Sequence, residues 1–148
     1  MKKAINLLAT GFYSGYAPYA PGTAGTVVGL VILGLVMVLG LVNVVQVPLI
    51  FIVVVFGTYI AHQAEKYYDR KDPQEVVIDE IAGFIVAMAG LSINLLIPAF
   101  ILFRLFDILK PGPLKESQKL RGGVGIMVDD VGAGIAANIL LRIILYFA

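Results

Sequence analysis

Between Lys3 and Glu65 the chain runs for 61 consecutive residues without Asp, Glu, Lys or Arg. A soluble fold of 148 residues could rarely bury such a run, whereas a bilayer accommodates it easily. The rest of the composition agrees. The chain is 59% hydrophobic and 14% charged, with a mean hydropathy of +0.93, against roughly 25% charged and 45–50% apolar for a soluble domain. A polytopic membrane protein of a single domain, residues 1–148, is the class these numbers select. The net charge of +1 carries no basic excess of the kind nucleic acid attracts. The absence of cysteine removes disulfides, thiolate zinc sites and cysteine-nucleophile phosphatases.

The amino terminus begins like a short signal peptide, but its apolar stretch is brief and runs into Gly, Pro and Tyr, so it is expected to be retained. Residues 9–26 are too rich in Gly and Pro for one regular helix, and their tyrosines suit a loop on the headgroup layer. A first span is expected over residues 26–45, a second over 47–63, and an uncharged link between them at residues 43–48. A polar stretch from Glu65 to Glu75 follows, then 23 residues, 81–103, without Asp, Glu, Lys or Arg. One long helix there would put Arg104, Lys110, Lys115, Lys119 and Arg121 on the far side, against the positive-inside bias. Two short helices broken around Gly90, Asn94 and Pro98 keep both ends on one face, and this arrangement is preferred. A cytoplasmic loop over residues 110–128 leads to a last span, 130–147. Ten of eleven basic residues then lie on one side, with Arg142 snorkelling to the other.

This path gathers five carboxylates at one face: Asp79 and Glu80 where the third span begins, Asp107 where the fourth ends, and Asp129 and Asp130 where the last begins. Carboxylates that close repel unless a cation joins them, and oxygen-only ligands suit magnesium rather than zinc. Each acid also has a plainer explanation. Asp79 or Asp129 alone is more often a helix cap. Asp107 stands where the helix dipole disfavours negative charge, and Arg104 and Lys110, three residues to either side, would form an ion-pair ladder with it. Alternatively Asp107 binds metal while Arg104 and Lys110 grip phosphate. The stretch Pro21-Gly22-Thr23-Ala24-Gly25-Thr26 leads into a helix start, where Gly22 and Gly25 would let backbone N–H groups approach a phosphate oxygen, although it lacks the ending of a Walker motif. Gly122-Gly123-Val124-Gly125 has the commoner use of a flexible turn, and His62 that of an interfacial hydrogen-bonder.

With one His, the chain cannot supply both nucleophile and acid to a histidine phosphatase. It has no Asp-x-Asp pair for haloacid-dehalogenase-type chemistry and no Asp-Gly-x-x-Ala-Arg pattern of CDP-alcohol transferases. Metal-assisted hydrolysis remains, with a carboxylate orienting water or a phosphoaspartate as intermediate.

Four stretches in order resemble the phosphatidylglycerophosphatase A family: Ala9-Thr10-Gly11-Phe12 with Ala20 to Thr26; Val77-Ile78-Asp79-Glu80 followed by Gly83; Phe103-Arg104-Leu105-Phe106-Asp107-Ile108-Leu109-Lys110-Pro111; and Gly122 to Asp130. The resemblance implies an all-α fold, a membrane-embedded bundle of about five hydrophobic helices with an N-terminal interfacial segment. It implies a magnesium-dependent phosphatase that converts phosphatidylglycerol phosphate to phosphatidylglycerol and inorganic phosphate at the cytoplasmic face of the inner membrane. By position Asp79, Glu80, Asp107, Asp129 and Asp130 would be catalytic, and Asp79, Glu80, Asp129 and Asp130 would hold Mg2+. Arg104, Lys110, Thr23, Gly22 and Gly25 would bind the substrate phosphate. Gly112 departs from the pattern, standing where a bulky aromatic is expected between two prolines. The rival from another class is a small ion or proton carrier using the same acids.

Overall fold

The computed structural model describes residues 2–110, 120 and 122–147. Pro111, Gly112, Lys115, Lys119 and Arg121 therefore lie outside the described residues. The described chain is all-helical: α1 (Lys2–Ala9), a 3₁₀ turn (Ser14–Tyr16), α2 (Pro21–Val38), α3 (Val42–Tyr68), α4 (Ile78–Ala87), a second 3₁₀ turn (Ile93–Leu95), α5 (Leu96–Leu109) and α6 (Gly123–Phe147). The five helices α2 to α6 and the short N-terminal segment are those expected. Three of them, α2, α3 and α6, are long and apolar enough to cross a membrane. At 1.5 Å per residue they measure about 27, 40 and 38 Å, against a hydrocarbon core of about 30 Å. Their exposed side chains are those of a lipid-facing surface, among them Val38, Val44, Val47, Phe51 and Phe56. The chain is a membrane protein.

Several boundaries differ from those read in the sequence. α2 begins at Pro21 rather than residue 26, because Pro at the first helical position brings a pre-set φ and lacks only an N–H the helix would not use. The first turn between spans is at residues 39–41, where Gly40 has φ +71°, and residues 43–48 lie inside α3. Pro48 falls within the first two turns of α3. α6 starts at Gly123, so Gly123-Val124-Gly125 is helix rather than turn, and Asp129 and Asp130 sit well inside α6 instead of at its start.

The 81–103 run is broken as expected. α4 ends at Ala87, the chain turns through Gly90 at φ +65°, and α5 returns from Leu96. Pro98 belongs to the first turn of α5, where proline is tolerated, and not to the bend itself. At ten residues α4 is about 15 Å long, half a bilayer core. It is the centre of the bundle: α2, α3, α5 and above all α6 pack on it. Its side chains from Ile81 to Ala87 are all buried, and Phe84 meets the rings of Phe100 and Phe103 edge-on at 6.2 and 6.3 Å. A second cluster of Ala9, Ala61, Ala64, Val76 and Ile126 seats α1 against α3. The N–H of Val77, just before α4, donates to the carbonyl of Ala9 at 2.8 Å, tying α1 to the start of α4. Arg142 is exposed at the end of α4 away from the acids. Its guanidinium turns back along α6 and donates to the carbonyl of Ala89 at 2.8 Å, because the end of α4 offers unpaired acceptors nearby.

Candidate metal and phosphate site

One end of α4 is packed with charge. Asp79 and Glu80 occupy its first turn, where the helix dipole favours anions, and the residue at the cap position is Val77, which supplies no side-chain hydrogen bond. Asp130 joins them from α6. Asp79, Glu80 and Asp130 each present an oxygen within 4.8 Å of the others'. Asp79 is 7% exposed and Asp130 2%, yet Asp79 Oδ1, Glu80 Oε2 and Asp130 Oδ2 are buried without a hydrogen-bond partner. Capping explains none of this for Asp130, which lies two turns into its helix. Three carboxylates so close repel one another in a site poorly screened by water. Buried acceptors left unpaired are also costly. A hard divalent cation answers both difficulties, and an all-oxygen donor set without Cys or His suits magnesium. The residues present therefore fit such an ion.

The remaining charges form a paired network beside this triad. Arg104 donates through Nη1 to Asp107 Oδ2 one turn along α5. Lys110, just past α5, donates to Asp129 Oδ2 of α6 and lies 3.8 Å from Asp107 Oδ1 and 3.9 Å from Asp130 Oδ1. The ladder over Arg104, Asp107 and Lys110 thus exists, and it extends across to the last helix. Burial alone would lower the Lys110 ammonium, but the hydrogen bond it donates to Asp129 and the charges of Asp130, Asp129 and Asp107 outweigh it and hold the ammonium above its usual value. A raised lysine keeps its proton to well above neutral pH, so its ion pairs persist upward from wherever the partner carboxylates are ionised. Asp129 is spent on Lys110 and stands outside the unpaired triad. Arg104 Nε, by contrast, is buried and unpaired.

α2 brings its N-terminus to the same place. A Cβ on Gly22 would displace Glu80 Oε1 and lie 3.2 Å from Arg104 Nη1, so glycine lets this backbone sit against the site with the Glu80 carboxylate in its present place. The N–H groups of Gly22 and Thr23 belong to the first turn of α2, where the helix provides no acceptor for them. Thr23 is half-buried there. Gly25 faces elsewhere: its Cβ position is 2.6 Å from Val77 Cβ, which makes it a contact between α2 and the start of α4. His62 is exposed on α3 beside Gly122 and away from the triad.

The sequence reading passed over Asp72. It lines a small space with Asp129, Lys71 and Glu65, and its N–H donates to Glu65 Oε1 at 3.3 Å. The surrounding protein and, after it, the charge of Asp129 push its carboxyl above the ordinary value. Within a stretch as charged as 65–75 nothing marks this acid out except the buried Pro73 that follows it.

Comparison with known proteins agrees with the earlier resemblance. Residues 7–145 match the family model described as Phosphatidylglycerophosphatase A. The chain is similar to a phosphatidylglycerophosphatase A of Haemophilus influenzae, 40% identical over 149 residues that cover 97% of this chain and 90% of the relative. It is similar also to a Bacteroides thetaiotaomicron protein named as a candidate phosphatidylinositol-3-phosphatase, 35% identical over 145 residues covering 93% and 91%. A phosphatidylglycerophosphatase A of Escherichia coli is 36% identical over 89 residues, covering 57% and 52%. No solved structure matches.

Proposed function

Since the chain belongs to the phosphatidylglycerophosphatase A family, we propose that it is a magnesium-dependent phosphoric monoester hydrolase that converts phosphatidylglycerol phosphate to phosphatidylglycerol and inorganic phosphate at the cytoplasmic face of the inner membrane. The observation that carries this reading is the triad of Asp79, Glu80 and Asp130, whose buried oxygens lack partners beside an Arg104 Nε that lacks one too. The acids would hold Mg2+, which supplies charge neutralisation to a phosphoryl group in transfer.

The protein's own groups do the rest. Arg104 donates its free N–H to a non-bridging phosphate oxygen, while Asp107 keeps its plane fixed. The N–H groups of Gly22 and Thr23 face the same anion at the positive end of α2. Lys110 adds positive charge held in place by Asp129. A carboxylate of the cluster orients a water and takes its proton as the water oxygen bonds to phosphorus. The bond from phosphorus to the glycerol oxygen breaks, and that oxygen gains a proton to leave as the alcohol. The apolar helices keep the lipid's acyl chains in the bilayer while the headgroup lies at the charged layer.

The name of the Bacteroides relative raises an inositol headgroup as a second substrate with the same monoester. The test is phosphate release by the purified protein from phosphatidylglycerol phosphate, phosphatidylinositol 3-phosphate and phosphatidic acid, with magnesium or with EDTA. Release from phosphatidylglycerol phosphate that EDTA abolishes is expected. Turnover of the inositol lipid alone would move the substrate assignment, and release from none of the three would refute the reading.

A further inference from the structure

At the end of α4 away from the acids, three polar side chains of two other helices close on its last carbonyls. Gln46 of α3, only 8% exposed, donates from Nε2 to the Met88 carbonyl at 2.9 Å and accepts from the Gly90 N–H at 3.0 Å. Asn138 of α6 donates from Nδ2 to the carbonyls of Ala87 at 2.8 Å and Ala89 at 3.0 Å. Arg142 donates from Nη2 to Ala89 at 2.8 Å and from Nε to Asn138 Oδ1 at 2.8 Å. The end of a helix leaves carbonyls without partners in the helix, and these three residues satisfy them. A guanidinium beside a helix C-terminus also meets the favourable end of the dipole.

The spacing gives this cluster a second meaning. α4 and α6 run alongside each other, and their contacts recur in steps of four. Asp79 meets Asp130, Gly83 meets Gly134, and the Ala87 carbonyl meets Asn138. Eight residues separate Asp79 from Ala87, and eight separate Asp130 from Asn138. Both intervals are about 12 Å of helix. Anchoring the end of α4 therefore fixes the height at which Asp79 and Glu80 stand opposite Asp130. The middle rung is glycine on both sides and contributes no side-chain hydrogen bond to hold that height.

We propose that Gln46, Asn138 and Arg142 are positioning residues for the acid triad, locking the axial register of α4 against α6 from about 12 Å away. The proposal rests on the triad being the metal site. Mn2+ binding to the purified protein in detergent, followed by electron paramagnetic resonance, tests it together with hydrogen exchange of the amides of residues 84–91. Arg142→Met leaves Asn138 bonded to both carbonyls, so the variant is expected to fold. Its half-saturating Mn2+ concentration should rise about threefold, and that of Gln46→Leu about tenfold. Both should speed exchange at residues 84–91, while Arg142→Lys, which keeps one donor, stays near wild type. A defect in merely structural residues would lower the melting temperature and leave Mn2+ affinity unchanged in the folded fraction. That result in both variants overturns the proposal. If the wild-type protein binds no Mn2+, the metal reading fails instead, and the exchange rates alone decide whether the clamp holds α4.

Discussion

Asp79 and Asp129 carry the same group in one charged layer, yet substitution should affect them in opposite ways. Asp79 is buried among like charges with one oxygen unpaired, whereas Asp129 is bonded to Lys110. Asp79→Asn removes repulsion from the metal-free protein, so its melting temperature should hold or rise. It should also remove roughly 100-fold or more of the activity and abolish any stabilisation by magnesium. A differential scanning measurement with and without the ion checks this, and normal turnover in folded Asp79→Asn would refute the assignment. Asp129→Asn leaves Lys110 without its closest partner in a half-buried setting. A loss of roughly 1–3 kcal/mol of stability is expected along with most of the activity, read as a lower melting temperature whether or not magnesium is present. The identity of the acids was legible in the sequence, because carboxylates are conspicuous in a chain this apolar. Their division of labour was not. Whether an acid is paired depends on where Lys110 and Arg104 point, and spacing along one helix could not show Lys110 crossing to Asp129. Gln46 and Asn138 were missed for a related reason: a single amide in an apolar run is explained only by the carbonyl it meets.

Between elements, the crossing of α4 and α6 sets the site. A Cβ on Gly134 would strike the Gly83 carbonyl, and one on Gly83 would lie 2.6 Å from both the Asp130 carbonyl and the ring of Phe103. Gly134→Ala should therefore push the two helices apart, costing about 1–3 kcal/mol and moving Asp130 away from Asp79. At least a tenfold fall in kcat/KM is expected, because small displacements of positioned groups are expensive. Kinetics on the folded variant would show it, and wild-type kcat/KM would mean that the crossing has slack. The break in the 81–103 run was readable from charge: only a hairpin keeps Arg104 and Lys110 on the same side as Lys66 and Arg70. The turn between α2 and α3 was not. Asn43 and Pro48 have turn-forming chemistry, but Gly40 is the residue that takes the positive φ, and a proline early in a helix sacrifices little. The start of α6 was placed late on the same misreading, since glycines that permit close packing have the same letter as glycines that turn.

Across the whole molecule, the distribution of charge makes the proposed orientation testable. α2 leads away from the acid layer, α3 returns to it, α4 and α5 enter and come back, and α6 leaves once more. Lys2, Lys3, Lys66, Arg70, Lys71, Arg104 and Lys110 all fall toward the end with the acids, and Arg142 lies on the other side of the α4 midpoint. The positive-inside bias is the basis for the cytoplasmic placement of the acid layer proposed above. The chain has no cysteine of its own, so single cysteines report their side without background. Lys66→Cys, exposed near the end of α3, should react with a membrane-impermeant maleimide only in inverted vesicles or opened cells. Asn43→Cys, exposed at the start of the same helix, should react in intact spheroplasts. The two positions are 23 residues apart on one helix, about 35 Å, more than the hydrocarbon core is thick. Labelling of both from one side would mean that α3 does not cross, and would remove the bilayer as the wall against which the acid layer is assembled.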